Sequence, residues 1–489
     1  MQNNINLIEC TLRDGGYYNN WDFDRVLVEN YLNAINSIGI NYIEMGFRSF
    51  QCKDFKGPNW YTTDNYLKSF KIPKKIKVGV MVNAEEIISN SAGILKATNK
   101  LFKNKKDSRV DFVRLACHYK DLSKTFEIAK ILKKKGYFLA VNLMQISEIN
   151  NDQIINAAKL AKTKKTIDVL YFADSLGSMR KSNINGAIKS LRKSWSGEIG
   201  IHAHDNLGLA LSNTLNAIKE GVSWVDSTVM GMGRGAGNTQ TEYITLELKK
   251  FNNNLFKSLH LQKLIKNFFQ PLHKKYKWGT NSFYYLAGKF GIHPTYVQEM
   301  LNINLAEHEI LDAINQLKEL GANRYDVNLV RSEFQKPIQL KQGSWRPKKE
   351  IKGKEVLLVT SGPNLYQYKD EVENYIHNNK PYVIALNAFT CINKSLIDLY
   401  VNCNPLTMLT NFKKIKNLKT PLVAPLSIIS KILKTKTKNL KVLNYGIGIK
   451  GNKFDFFDNC SNIPKLYTVA YSLAIATSGD AEKILLAGF

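Results

Sequence analysis

In the stretch IHAHDNLG, His202 and His204 stand two residues apart behind a β-branched approach, with Asp205 and Asn206 directly after them. On a strand, side chains two apart project to the same side, so both imidazoles leave one strand end together, which is a metal-ligand geometry. Near the start of the chain, Arg13 and Asp14 stand side by side in TLRDGGYYN. One carboxylate with two imidazoles leaves open positions on a divalent ion, as a metal needs if it is to bind substrate oxygens. Asn238 closes the glycine-rich GMGRGAGN and could add an amide oxygen or orient a water. Arg13 beside such an ion would stabilise negative charge growing on a carbonyl oxygen; the alternative is a salt bridge with Asp14 or Glu44. Together the groups suit an enolate.

Such groups need a frame that brings distant strand ends to one place. Eight β-rich runs recur along the first half: INLIEC, NYIEMG, KVGVMV, DFVRLA, YFLAVNL, DVLYFA, EIGIHAH and SWVDSTV. Amphipathic stretches such as LSKTFEIAKILKKKG and NDQIINAAKLAKT lie between most of them, which predicts an α/β chain whose residues 1–250 form a (β/α)₈ TIM barrel. In that fold catalytic groups sit at the carboxyl ends of strands. The candidates there are Asp14 and Tyr17 after strand 1, Glu44 and Arg48 at strand 2 and His118 after strand 4. Asp174 and Ser175 follow strand 6, His202 and His204 end strand 7, and Asn238 lies beyond strand 8. Glu44 could orient Arg13 or a water, and Arg48 could hold a carboxylate or phosphate bidentately.

The motifs TLRDGG, HAHDNLG and GMGRGAGN, in this order and at these strand ends, resemble the DRE-TIM metallolyase (HMGL-like) family. That family includes 4-hydroxy-2-oxovalerate aldolase, isopropylmalate and homocitrate synthases and 3-hydroxy-3-methylglutaryl-CoA lyase. The resemblance implies a divalent ion, Mn²⁺ or Mg²⁺ with Zn²⁺ or Co²⁺ as alternatives, on the residues matching Asp14, His202 and His204. It also implies that Arg13 polarises an enolate in C–C bond chemistry and that Asn238 is an additional metal or water ligand. The lyases acting on hydroxymethylglutaryl-CoA carry a cysteine in the loop after strand 8, and GMGRGAGN has none. ADSLG, with Asp174 and Ser175, looks closer to the aldolases, in which small residues and backbone amides bind short 2-oxo acids. In those aldolases a histidine serving as base stands three residues after the metal aspartate, where this chain has Tyr17. The base is therefore open between Tyr17, should a cation or metal lower its pKa, and His118.

Length predicts more than one domain. Residues 251–335 read as a helical extension, in which Tyr285, His293 and Tyr296 are possible donors to the barrel mouth. Residues 336–353, with their prolines and lysines, read as a linker. From 354 to 489, EVLLVTSGPN, PYVIALN and EKILLAGF predict an open, Rossmann-like α/β sheet. In it the turn Ser361-Gly362-Pro363-Asn364 would approach the phosphate of a nucleotide or nucleotide sugar.

The formal charge of +28 comes mostly from lysine spread along the chain, without an arginine and aromatic stripe. It reads as a solvated basic surface rather than a nucleic-acid site, with attraction of an anionic substrate as the lesser alternative. Cys10, Cys52, Cys117, Cys391, Cys403 and Cys460 show no CxxC spacing and read as reduced thiols. No apolar run of about 18 residues and no leader pattern is seen, so a cytoplasmic chain without membrane contact is expected. The partners expected are a 2-oxo acid with an aldehyde or sugar, and a second copy of the chain in a homo-oligomer. The rival readings are an acyl-CoA-dependent Claisen condensing enzyme and a non-catalytic barrel scaffold in surface-polysaccharide synthesis.

Overall fold

All eight apolar runs become strands of one closed parallel barrel in order β1 to β8. They are β1 Asn6–Glu9, β2 Tyr42–Phe47, β3 Lys77–Asn83, β4 Phe112–Cys117, β5 Phe138–Leu143, β6 Val169–Asp174, β7 Glu198–Ala203 and β8 Trp224–Ser227. The structure is a computed structural model that describes residues 5–248, 258–302, 305, 307–326, 338–387, 390–429, 440–451 and 453–489. The chain divides into two compact units, Met1–Thr295 and Tyr296–Phe489.

Alternation along each strand sorts the side chains. On β4, Val113, Leu115 and Cys117 join the large apolar cluster shared with the surrounding helices. Phe112 turns inward, with Ile8, Ala140, Val169, Tyr171 and Trp224, to fill the barrel. Inward positions thus form layers, and Glu44, Arg114, His202 and Asp226, all buried, share this inward phase. Among the described residues no helix is long and apolar enough to cross a membrane.

The helices expected after residue 250 fall on both sides of the division. Those at Ser258–Leu264, Gln270–Tyr276 and Ser282–Phe290 belong to the barrel unit, and Glu307–Leu320 belongs to the second. The first group is tied to the loop after β8 by Trp278, whose Nε1 donates to the Met230 carbonyl at 2.8 Å; Tyr18, after β1, donates to the Gly235 carbonyl of the same loop at 2.6 Å.

The second unit is an open sheet of six parallel strands in the order β13-β12-β11-β10-β9-β17. They run β9 Glu355–Val359, β10 Tyr382–Leu386, β11 Leu399–Val401, β12 Leu422–Val423, β13 Val442–Leu443 and β17 Lys483–Ala487. A three-stranded sheet of β14 Gly446–Ile449, β15 Asp455–Phe457 and β16 Cys460–Ile463 accompanies it. The stretch expected as a linker is not a free tether from residue 338 onward. Ile338 bridges Ile449, Trp345 stacks edge-on to Tyr445, and Ile351 is fully buried, so its apolar residues anchor it. Residues 336 and 337 lie outside the described residues.

Candidate metal centre

Asp14 lies in one helical turn, Thr11–Asp14, directly after β1. Buried Glu9 holds that turn by accepting from the Thr11 N–H at 3.0 Å, and Trp21 Nε1 donates to the Arg13 carbonyl at 2.7 Å. His202 and His204 leave β7 with ring centres 4.9 Å apart and planes at 89°. His202 Nδ1 lies 2.8 Å from Asp226 Oδ2, and His204 Nδ1 lies 3.2 Å from the Gly237 carbonyl. A carboxylate and a carbonyl only accept, so each Nδ1 carries a proton and each Nε2 lone pair is left for a ligand. His204 is held well below its ordinary value by burial, against the pull of Asp14, and stays neutral as a ligand must. Burial alone would raise Asp14, but Arg13, His204 and His202 outweigh it and keep the carboxylate ionised.

Ligand atoms of Asp14, His202 and His204 all lie within 4.8 Å of one another. Whether these residues fit a divalent ion can be tested on their neighbours. His202 Nε2 and Asn238 Oδ1 are both buried without a hydrogen-bond partner among the described residues, which buried polar atoms avoid unless something else satisfies them. Asn238 Nδ2 donates to Asp14 Oδ2 at 2.5 Å, so the amide stands at the carboxylate. Gly233 keeps the space open, because a Cβ there would come within 2.2 Å of Asn238 Nδ2 and 2.6 Å of Asp14 Oδ2. Gly237, at φ +83°, turns the loop so that Asn238 reaches the site. A donor set of nitrogen and oxygen without thiolate suits Mn²⁺, Mg²⁺, Zn²⁺ or Co²⁺.

Beneath the ligands runs a buried ionic chain. Arg13 pairs with Asp14 through NH1 and with Glu44 through Nε at 2.7 Å. Arg114 lies 3.5 Å from Glu44 and 2.7 Å from Asp226, which holds His202. Arg114 also stacks 4.3 Å over the Tyr171 ring. Both salt bridges weighed for Arg13 therefore exist, yet its NH2 is buried with no partner among the described residues.

A profile of the HMGL-like family matches residues 4–267. The chain belongs to the HMGL-like family. It is 30% identical over 258 residues to a 4-hydroxy-2-oxovalerate aldolase of Carboxydothermus hydrogenoformans, spanning 51% of this chain and 72% of that one. It is 24% identical over 246 residues to an oxaloacetate decarboxylase of Mycobacterium tuberculosis, spanning 50% and 70%. Among solved structures, the N-terminal domain of a Bacteroides vulgatus protein, described provisionally as an aldolase, superposes with TM-score 0.56 and 32% identity. That match covers 63% of this chain and 100% of that domain.

Not every residue expected at the mouth of the HMGL-like barrel joins the metal ligands. Arg48 is buried and donates through Nε and NH2 to the Thr62 carbonyl at 3.2 and 2.6 Å, with Asp64 3.4 Å away. It braces the loop after β2. Asp174 accepts from the Ser178 and Met179 N–H groups at 3.0 and 3.1 Å and so folds its own loop; burial raises its carboxyl to about 6. Ser175 Oγ accepts from the Gln145 N–H at 3.0 Å, and its carbonyl accepts from Arg234 NH2 at 2.8 Å. Tyr17 is 38% exposed, edge-on to Trp21, and desolvation raises its phenol against the pull of Arg234, the reverse of what a base needs. His118, half-buried, stands directly before the short turn Tyr119–Asp121 that follows β4.

Of the helical-extension tyrosines and histidine, His293 is buried with its Nε2 3.3 Å from Arg234 NH1, whereas Tyr285 is 41% exposed. Tyr296 lies in the second unit, its hydroxyl donating to the Arg324 carbonyl at 2.8 Å. The turn at Gly362 does not open toward a phosphate: its N–H donates to the Gly488 carbonyl at 3.0 Å, and a Cβ there would meet that oxygen at 2.1 Å. Gly362 lets the end of β17 approach, and Asn364 lies in the first turn of a helix of only five residues, Pro363–Gln367.

The residues that sequence reasoning passed over are Arg114, Asp226 and Arg234. The first two are charges in the middle of apolar strand runs, DFVRLA and SWVDSTV, which is itself a signal, since a charge in a buried strand requires a partner. Arg234 sits among the glycines of GMGRGAGN, where its spacing to the other motifs gives no sign of a role.

Proposed function

We propose that the barrel is a divalent-metal-dependent carbon–carbon lyase acting on a 2-oxo acid, an aldolase working through the pyruvate enolate. The observation that carries this reading is the convergence of Asp14, His202 and His204 beside the buried guanidinium of Arg13. A bound Mn²⁺ or Mg²⁺, held by those three residues with Asn238, supplies Lewis acidity toward the oxygens of the 2-oxo acid. Arg13, fixed by Asp14 and Glu44, gives its remaining NH2 donors to the carbonyl oxygen as negative charge gathers there. Because Arg13 is buried, that contact acts in a low dielectric and needs little reorganisation. In the cleavage direction the proton of the substrate's 4-hydroxyl leaves as the C–C bond breaks to aldehyde and enolate. We assign that transfer to His118, and Tyr17 to a wall of the mouth. The relatives named as an aldolase and as an oxaloacetate decarboxylase support the shared step, release of a 2-oxo acid from a carbon next to its carbonyl.

The test is pyruvate release from 4-hydroxy-2-oxo acids and from oxaloacetate, using metal-stripped protein with and without Mn²⁺. Turnover that needs the ion and is lost in Asp14→Asn is expected. His118→Ala should lower kcat by about 10²- to 10⁴-fold, the usual range for an acid–base group, and Tyr17→Phe by less than about threefold. Silence with these substrates, together with free thiol released from acetyl-CoA and a 2-oxo acid, would replace the aldolase by a condensing enzyme.

For the second unit we propose a nucleotide-linked ligand at a cavity of about 450 Å³ lined by Asn387, Asn404, Thr407, Tyr467 and Thr468. Support comes from its position past the carboxyl ends of β10 and β11. Added UDP or ADP should raise the Tm of the full chain, and the absence of a shift with either would remove this part of the reading.

A further inference from the structure

Arg234 brings a positive charge to the loop that carries Asn238, one residue after the glycine that keeps the metal ligands clear. Its NH2 donates to the Ser175 carbonyl at 2.8 Å, its NH1 lies 3.3 Å from His293 Nε2, and its guanidinium carbon is 5.7 Å from the centre of the Tyr17 ring. None of these neighbours is an anion, and Arg234 Nε is buried without a hydrogen-bond partner. Arg13, Arg48 and Arg114, the buried arginines of the barrel, each pair with a carboxylate. Arg234 pairs with none among the described residues.

A half-buried guanidinium without a counter-ion carries a desolvation penalty that an incoming anion offsets, and its planar donors match a carboxylate or phosphate. The residues that fix it lie around the metal ligands. Ser175 follows β6, next to β7 with its two histidines, and Tyr17 stands three residues after Asp14. On that reading an ion held by Asp14, His202 and His204 would serve the carbonyl and carboxylate of the 2-oxo acid together with Arg13, so this charge is surplus to that half of the substrate.

We propose that Arg234 determines specificity by binding a second anionic group, a carboxylate or phosphate on the aldehyde-derived half, so that the partner of the 2-oxo acid is an acidic aldehyde or an anionic sugar. This rests on the 2-oxo acid reading of the same site. The fixed partners Ser175 and His293 orient the guanidinium, and the Tyr17 ring supports one of its faces.

The test compares matched aldehydes with pyruvate: glyceraldehyde 3-phosphate against glyceraldehyde, and succinic semialdehyde against butanal. The full chain, Arg234→Met and Arg234→Lys are compared, with Mn²⁺ affinity of each variant confirming a native site. The native chain should favour the charged member of each pair. That kcat/KM ratio should fall at least tenfold in Arg234→Met, with part of it kept in Arg234→Lys; which pair responds more separates phosphate from carboxylate. An unchanged ratio overturns the proposal, as does a KM for pyruvate that rises equally with every aldehyde, which would move Arg234 to the 2-oxo acid half. If no aldehyde turns over, calorimetric titration of the Mg²⁺-loaded chain with glycerol 3-phosphate, against glycerol, still decides. At least tenfold weaker binding in Arg234→Met supports the anion site though the lyase reading fails, and equal binding in both proteins overturns it.

Discussion

Replacing Asp226 by Asn changes one atom of the support beneath His202 and isolates what that support does. Asp226 Oδ2 receives both the His202 Nδ1–H at 2.8 Å and Arg114 NH2 at 2.7 Å, whereas its Oδ1 is buried without a partner. An asparagine that keeps its oxygen at the Oδ2 position accepts both hydrogen bonds as a neutral group and buries an NH2 where no acceptor waits. The opposite orientation sets donor against donor twice. The hydrogen bond to His202 thus drops from a charge-assisted one to a neutral one, a loss of about 1–2 kcal/mol in holding the ring and its basicity. That corresponds to Mn²⁺ affinity about 5- to 30-fold weaker, overlapping the range of roughly 10- to 100-fold seen when partners of metal-bound histidines are removed. As a counter-charge Arg114 keeps only Glu44, 3.5 Å away. Breaking a buried ion pair costs about 3–5 kcal/mol, so the metal-free variant should also melt earlier. Free Mn²⁺ measured by electron paramagnetic resonance gives the affinity, and calorimetry gives the Tm. A variant that melts earlier but binds Mn²⁺ within twofold of the native chain would refute the argument, leaving Asp226 a structural partner of Arg114 alone.

Gly233→Ala should weaken Mn²⁺ binding by more than about tenfold while the metal-free Tm changes little, because the added methyl displaces Asp14 and Asn238 in an ordinary backbone conformation; native affinity would mean that the loop yields. Asp174, raised to about 6 by burial, makes a pH prediction. Its folded value exceeds the unfolded ~3.9, so the folded state holds the proton more tightly and stability falls as pH rises from about 4 to 6, by about 3 kcal/mol for this group. Asp174→Asn removes that decline, and urea melts at three pH values across the window should give a flatter curve than the native one; parallel curves would contradict it.

The barrel was legible because parallel strands covered on both faces read as near-continuous apolar runs, and polar motifs mark their ends. Asp14, His202, His204 and Asn238 were legible for the same reason, each standing where a strand stops. The partner of a charge inside a strand was not. Arg114 and Asp226 are 112 residues apart, and only the closed barrel makes them neighbours. Arg48 and Asp174 were expected to face substrate because they too end strands, but sequence does not disclose which loop amides and carbonyls a side chain will satisfy. In the second unit, β14 to β16 are only three or four residues each, too short for periodicity to register. Gly362 was recognised as a turn residue, whereas its neighbour, the carbonyl of Gly488, comes from the far end of the chain.

Asp14 and Asn238 touch across 224 residues, and β1 pairs directly with β8. A nascent chain therefore has no complete metal site until its last barrel strand and the loop beyond have emerged. Partial barrels gain nothing from the ion, while the closed form gains RT ln(1 + [M]/Kd), about 2.7 kcal/mol at a hundredfold excess over Kd. Metal supply would then act as a late checkpoint on ring closure, and a chain ended before Asn238 would be left without it.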